Sequence, residues 1–327
     1  MHAMVLKRPG GRLEWTVLPD RQPGAGEIRV RVTACGVCRT DLHVIDGELP
    51  STGGWIIPGH EIVGRVDALG EGVSHFRLGQ RVGIPWLGYT CGVCSYCAMG
   101  RENLCDRPLF TGYTREGGFA SHAIADVRYA FALGEKGDDV ALAPLLCAGM
   151  IGWRALVAAG DGKKLGLYGF GAAAHITIQV ALSQARSVLA FTRPDDSRSQ
   201  AFARAMGASW VGGSDETPPE PLDAAILFAP DGNLIPLALK AVRKGGRVVC
   251  AGIHMSDIPS FPYSLLWGER QLVSVANLTR QDGQEFLACA ETCGVKTHTT
   301  IYRLADANQA LDDLRAGRLD GAAVLVP

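Results

Sequence analysis

Between residues 165 and 292 the chain alternates short apolar runs with helix-forming stretches, and this rhythm constrains the fold more than any other feature. Residues 165–168 and 187–192 read as buried strands, and 172–185 and 197–206 as the helices that follow them. Residues 222–228, 235–242 and 247–251 continue the series, and 271–276 and 285–292 form its last strand and helix. Such a βαβ order implies a parallel, doubly wound sheet with right-handed crossovers.

The text before this region is different. Residues 27–33 (Glu-Ile-Arg-Val-Arg-Val-Thr) alternate apolar and polar at period 2, the mark of a half-buried strand. Residues 61–69 and 80–84 read as further strands between Gly-rich turns, and 141–159 as a helix ended by Gly160-Asp161-Gly162. From residue 297 the tail returns to strand-like text with one amphipathic helix at 306–314. The expected fold class is therefore α/β, with a Rossmann-type nucleotide domain at 151–290 inserted into a β-rich domain made of 1–150 and 291–327.

The turn after the first strand of the series, Gly169-Phe170-Gly171-Ala172-Ala173-Ala174, has the form of a dinucleotide-binding loop. Gly169 permits the tight turn, and Gly171 lets the backbone approach a pyrophosphate seated on the N-terminus of the helix that Ala172 opens. Ala174 stands at the third position of the fingerprint, where Ala is an accepted variant. An NAD site usually carries an acidic residue at the end of the next strand, for the ribose 2′-hydroxyl. Here that end reads Phe191-Thr192-Arg193-Pro194, and Asp195 and Asp196 come only after the proline. Thr192 and Arg193 fit a 2′-phosphate better, so NADP(H) is slightly favoured over NAD(H).

Ten cysteines in 327 residues, four of them tightly grouped, fit metal ligation in a reducing cytoplasm better than a disulfide framework. Cys91, Cys94, Cys97 and Cys105 have the spacing C-x2-C-x2-C-x7-C and can hold one zinc through four thiolates, leaving no coordination position open. Potential ligands outside this group are Cys38, His60, Glu61 and Cys147. Cys35 and Cys38 spell C-x-x-C, but no thioredoxin-like helix follows, and Cys35 reads as a strand-end core residue. Cys250, Cys289 and Cys293 have no ligand-like companions and are expected to be buried packing residues. A formal net charge of −1 offers no basic field for nucleic acid or an anionic membrane, and no run of about 18 apolar residues occurs.

Cys38-Arg39-Thr40-Asp41-Leu42-His43, Gly59-His60-Glu61, the four-cysteine lobe and the later Gly-x-Gly turn occur in this order over nearly the whole chain. That combination resembles the zinc-dependent medium-chain alcohol dehydrogenases, whose fold pairs a GroES-like catalytic domain with a Rossmann domain. The resemblance implies that Cys38, His60 and Cys147 ligate a catalytic zinc, that Glu61 stands behind the metal, and that Asp41 orients His60. The four-cysteine group would hold a second, structural zinc. Thr40 and His43 match a proton relay that runs from the zinc-bound substrate through the cofactor ribose to a histidine near solvent. Arg39 and Arg280 match contacts to the cofactor phosphates, and Trp55 and Trp86 match bulky positions in the pockets of enzymes for small primary alcohols. The implied function is hydride transfer between a nicotinamide cofactor and a small alcohol or aldehyde, in a cytoplasmic homodimer or homotetramer. Alternatives are a polyol or aryl-alcohol dehydrogenase of the same fold, or a non-enzymatic zinc-stabilised nucleotide-binding protein.

Overall fold

The computed structural model describes residues 1–50 and 53–327 and divides into two compact units. The first contains Met1–Ala148, Asn277–Gln284 and Thr297–Pro327; the second contains Gly149–Ala276 and Glu285–Lys296.

The first unit is built on a seven-stranded sheet in which the strand Glu27–Val37 pairs with Glu61–Leu69, His122–Asp126 and Ala322–Val326. Ile28, Val30 and Val32 face the core on alternate positions, as their spacing requires. A register shift between Val32 and Ala34 then breaks the alternation, and Ala34–Val37 are all buried. This strand runs four residues beyond the stretch expected from its period-2 pattern. The extension matters, because Gly36 pairs with Glu61 across the antiparallel ladder. Cys38, two residues beyond Gly36, and His60, one before Glu61, are thereby brought together at the same end of the sheet. The helix Arg39–Asp46 starts there with Cys38 as its N-cap and stops at Gly47, whose φ of 76° is the left-handed cap that glycine tolerates.

Residues 141–159 do not form the continuous helix that their composition predicts. The chain makes a short helix, Asp139–Leu142, a 3-10 turn, Ala143–Leu146, and a new helix, Ala148–Ala159. Pro144, near the start of the 3-10 turn, has no N–H to give an α-helical ladder, and Cys147 takes φ −133° and ψ −66°, outside the helical region. Cys147 therefore sits at a break between helices, not on one.

The second unit is a six-stranded parallel sheet, in the order Trp210–Gly213, Ser187–Thr192, Lys164–Tyr168, Leu222–Leu227, Val242–Cys250, Gln271–Ser274. The strand Lys164–Tyr168 lies where the strand order reverses, so its C-terminal end is the position at which doubly wound folds bind nucleotides. The strand Trp210–Gly213 has no counterpart in the sequence reading. The unit boundary also departs from expectation: Asn277–Gln284 belong to the first unit. Gly283 leaves no room for a Cβ against the ring of Phe131, which ties this segment to the β-rich unit. Among the described residues no single helix is long and apolar enough to cross a membrane.

Candidate active site and metal centres

Asp41 organises the first constellation. It is fully buried in the first turn of the helix Arg39–Asp46. One carboxylate oxygen accepts the Cys38 N–H at 2.8 Å; the other accepts the Gly59 N–H at 3.1 Å and lies 3.1 Å from His60 Nδ1. With Nδ1 protonated toward Asp41, His60 Nε2 carries the lone pair. That Nε2 atom is buried and has no hydrogen-bond partner among the described residues. Around it lie Cys38 Sγ, Cys147 Sγ and a Glu61 carboxylate oxygen, all these ligand atoms within 4.8 Å of one another. The two sulfurs are 4.0 Å apart. Gly36 makes room for this arrangement, since a Cβ there would collide with the Glu61 carboxylate.

The electrostatics are those of a site that wants a cation. Hydrogen bonding from Cys147 holds Cys38 well below the usual thiol range, against burial and with help from His60. The same contact, together with burial, pushes Cys147 up. Burial, and then the Cys38 sulfur, raises Glu61 well above the usual carboxylate value. Burial opposes a charge on His60, but Asp41 and Cys38 outweigh it and raise the imidazole's pKa. A divalent cation bound to two thiolates and a neutral imidazole would replace these protons, and an orphaned Nε2 beside two sulfurs is the donor set of a catalytic zinc site.

The second constellation joins Cys91, Cys94, Cys97 and Cys105, whose sulfurs also lie within 4.8 Å of one another. Backbone N–H groups point at them. Cys94 donates to Cys91 Sγ at 3.4 Å, Cys91 to Cys105 Sγ at 3.3 Å and Arg107 to Cys105 Sγ at 3.4 Å. Hydrogen bonds from Val93 and Cys94 lower Cys91 to about 6, while burial raises Cys105 to about 11. Four sulfurs gathered in this way match a closed, structural zinc.

Other candidate residues fall in varied places. Thr40 Oγ1 is 3.8 Å from Cys38 Sγ. His43 is only 7% exposed, so it is not the solvent-facing histidine that the sequence implies; its Nδ1 is bonded to the carboxylate of Glu48, which is itself 43% exposed. Trp86 stacks its edge on His60 with ring centres 4.9 Å apart, and Phe110 and Tyr113 lie parallel to its ring at 5.1 and 5.9 Å. Trp55 is 44% exposed. Arg39 is exposed, whereas the Arg280 guanidinium is held by Glu102 at 3.1 Å and lies over the ring of Tyr129.

In the second unit Gly169 has φ 87°, and a Cβ there would press on Ala229. Gly171 is the N-cap of the helix Ala172–Ser183 and faces open space, while Ala174 is fully buried beneath it. Thr192 is buried and donates its hydroxyl to the Arg193 carbonyl; Arg193 is 81% exposed and loosely paired with Asp196 at 3.3 Å.

Glu48, Glu102, Phe110 and Tyr113 escaped the sequence reading. Each acts through a partner distant enough, or a loop irregular enough, that no periodic signal marks it. A further expectation is overturned. Cys289 and Cys293 are not isolated packing residues; their sulfurs lie 3.6 Å apart and both are partly exposed.

Residues 24–135 match the alcohol dehydrogenase GroES-like domain. Across its full length the chain is 45% identical to a probable alcohol dehydrogenase, AdhA, of Mycobacterium tuberculosis, covering 97% of that protein. The chain belongs to the zinc-dependent medium-chain alcohol dehydrogenases. Among solved structures, the cobalt- and zinc-bound thermostable alcohol dehydrogenase of Pyrobaculum aerophilum superposes with a TM-score of 0.90 at 25% identity, covering 100% of this chain and 99% of that one. An acetophenone reductase from Geotrichum candidum in complex with NAD gives the same TM-score and identity, covering 100% and 97%. This medium-chain dehydrogenase thus pairs a GroES-like domain with a Rossmann domain, and it is an oxidoreductase of the alcohol–aldehyde couple.

Proposed function

We propose that the chain is a cytoplasmic, two-zinc alcohol dehydrogenase or aldehyde reductase for small primary substrates, working with NADP(H) in preference to NAD(H) as a homodimer or homotetramer. The observation that carries the reading is the buried, unpartnered His60 Nε2 converging on the Cys38 and Cys147 sulfurs. Cys38, His60 and Cys147 would hold the catalytic zinc, and Cys91, Cys94, Cys97 and Cys105 the structural one. When bound, the first ion supplies Lewis-acid polarisation of the substrate oxygen.

The chain's own residues do the rest. Asp41 fixes both the Cys38 backbone and the His60 tautomer. Glu61, buried at the same end of the sheet, stands behind the ligands with a carboxylate oxygen within 4.8 Å of them. Thr40 Oγ1 is the hydroxyl placed to pass on a substrate proton. Glu48, hydrogen-bonded to Nδ1, orients the ring of His43, the histidine assigned to the relay. Trp86, braced by Phe110, supplies a flat apolar wall beside His60 that excludes water and limits substrate width. Gly169, Gly171, Ala172 and Ala174 shape the pyrophosphate turn, with Arg39 and Arg280 as further phosphate contacts. The weak Asp196 pairing leaves the Arg193 guanidinium available for a 2′-phosphate beside Thr192.

The test is a panel of short, branched and aromatic aldehydes assayed with NADPH and NADH, before and after chelation. Activity should depend on metal, favour short aldehydes, and show kcat/KM for NADPH above NADH. Arg193→Ala should cut that cofactor ratio about tenfold, the worth of one charge-assisted contact of about 1.4 kcal/mol. An NADH preference that Arg193→Ala leaves unchanged would refute the cofactor assignment.

A further inference from the structure

The helix Arg280–Cys293 ends in a pair of thiols that the proposed chemistry does not use. Cys289 and Cys293 stand one turn apart with sulfurs at 3.6 Å, and Gly294 closes the helix at φ 65°. Ser183, the last residue of the helix Ala172–Ser183, fixes the second sulfur. Its hydroxyl donates to the Val180 carbonyl at 2.8 Å, so its single proton is committed and its oxygen accepts the Cys293 S–H at 3.2 Å.

We propose that Cys289 and Cys293 form a two-thiol capture site for thiophilic centres of bent coordination, specifically monosubstituted trivalent arsenicals. The spacing argues for the angle. Two sulfurs on either side of a linear ion would stand ~4.6 Å apart, twice a metal–sulfur bond of about 2.3 Å, whereas two on a tetrahedral edge stand ~3.8 Å apart. The observed 3.6 Å is close to the second value and to the 3.5 Å between Cys91 and Cys105 within the four-cysteine cluster. Two thiols and a hydroxyl do not complete the shell of a structural zinc, which takes four strong donors. An arsenic(III) already bonded to one carbon needs only two sulfurs.

A disulfide fits less well. It requires Cβ atoms about 3.8 Å apart, while residues four apart on a helix hold theirs at about 5–6 Å. Burial, and then the neighbouring Cys293, raise Cys289 to about 11, which keeps it protonated and slow toward single-thiol electrophiles and peroxide. Capture of an arsenoxide has no such need. One R–As=O and two S–H groups give R–As(S–)2 and one water; two As–S bonds form, the oxygen leaves with both thiol protons, and arsenic stays trivalent.

The experiment uses the full-length, zinc-loaded protein and phenylarsine oxide. Intact mass should show one phenylarsenic group retained per chain through desalting, with two fewer titratable thiols and unchanged zinc content. Cys289→Ser and Cys293→Ser, each checked for native circular dichroism, should each weaken retention by about 10²–10⁴-fold, the effective-concentration gain that a second linked contact provides. Absence of the adduct in the wild-type protein, wild-type retention in either serine variant, or zinc release in step with arsenic uptake would overturn the proposal.

Discussion

Asp41→Asn isolates one carboxylate that serves three donors. The side chain keeps its size and loses its charge and one acceptor. In one orientation the remaining carbonyl oxygen still serves Gly59 and His60, and the amide NH2 faces the Cys38 N–H across the present 2.8 Å. That clash leaves a buried donor unpaired and costs about 1–3 kcal/mol. In the other orientation the amide donates toward His60 Nδ1, which forces the ring proton onto Nε2 and removes the lone pair that would ligate metal. Either way the metal site loses a supporting partner. Loss of such partners typically weakens metal affinity 10–100-fold, or about 1.4–2.7 kcal/mol at 1.36 kcal/mol per decade. The assay is zinc content per chain against a graded chelator, with melting temperature and kcat measured on the same preparations. The expected result is selective loss of one zinc equivalent and of turnover, with a modest drop in melting temperature. Retention of both zincs at wild-type chelator resistance and kcat within twofold of wild type would refute the role given to Asp41.

Exchanging one sulfur in each cluster should separate the two metals. Cys97→Ser should lower melting temperature and zinc content while leaving residual turnover in the folded fraction, and Cys38→Ser should abolish turnover with the melting temperature nearly unchanged. Trp86→Ala should raise kcat/KM for branched or aromatic alcohols relative to ethanol, while the cavity costs about 3–5 kcal/mol by denaturant titration; an unchanged ratio would remove Trp86 from the pocket. Asp223 accepts Arg243 Nε at 2.6 Å and the Lys164 N–H at 2.9 Å, and though burial opposes them these contacts lower its pKa. A carboxyl depressed in the folded state contributes stability above its unfolded value of about 3.9, and loses it as pH falls through the folded value. Asp223→Asn should therefore destabilise at neutral pH and converge with wild type in acid melts.

The nucleotide domain was legible because its central strands, Lys164–Tyr168, Ser187–Thr192 and Leu222–Leu227, are buried over nearly their whole length, and helices follow the first two. The strand Trp210–Gly213 was not, since four residues, two of them glycine, are too few to show a period, and they pair with the neighbour Ser187–Thr192. The break at Cys147 was hidden by strong helix formers on both sides; only Pro144 hinted at it, and tertiary packing overrode propensity. The side chains that gather into the two clusters were legible because cysteine and histidine are rare and three of the motifs that carry them are local. The residues that brace them were not. Glu102 reaches Arg280 across 178 positions, and the stack of Phe110 and Tyr113 on Trp86 depends on how the cysteine lobe folds back.

The two clusters also differ in what must be folded before they exist. Cys91 and Cys105 are 14 residues apart, and the backbone N–H groups that prepare their sulfurs belong to the same loop. Cys38 and Cys147 are 109 residues apart, and Cys38 meets His60 only because Gly36 pairs with Glu61 at the end of a completed ladder. Closing the longer segment costs roughly 2 kcal/mol more in chain entropy, from (3/2)RT ln of the length ratio, and it needs the sheet pairing that supplies this energy. A metal can therefore organise the four-cysteine lobe with little help from the rest of the chain, whereas the Cys38, His60 and Cys147 site reports that the GroES-like unit is finished. The locality of the four-cysteine lobe is also what makes its motif the more recognisable of the two in the sequence.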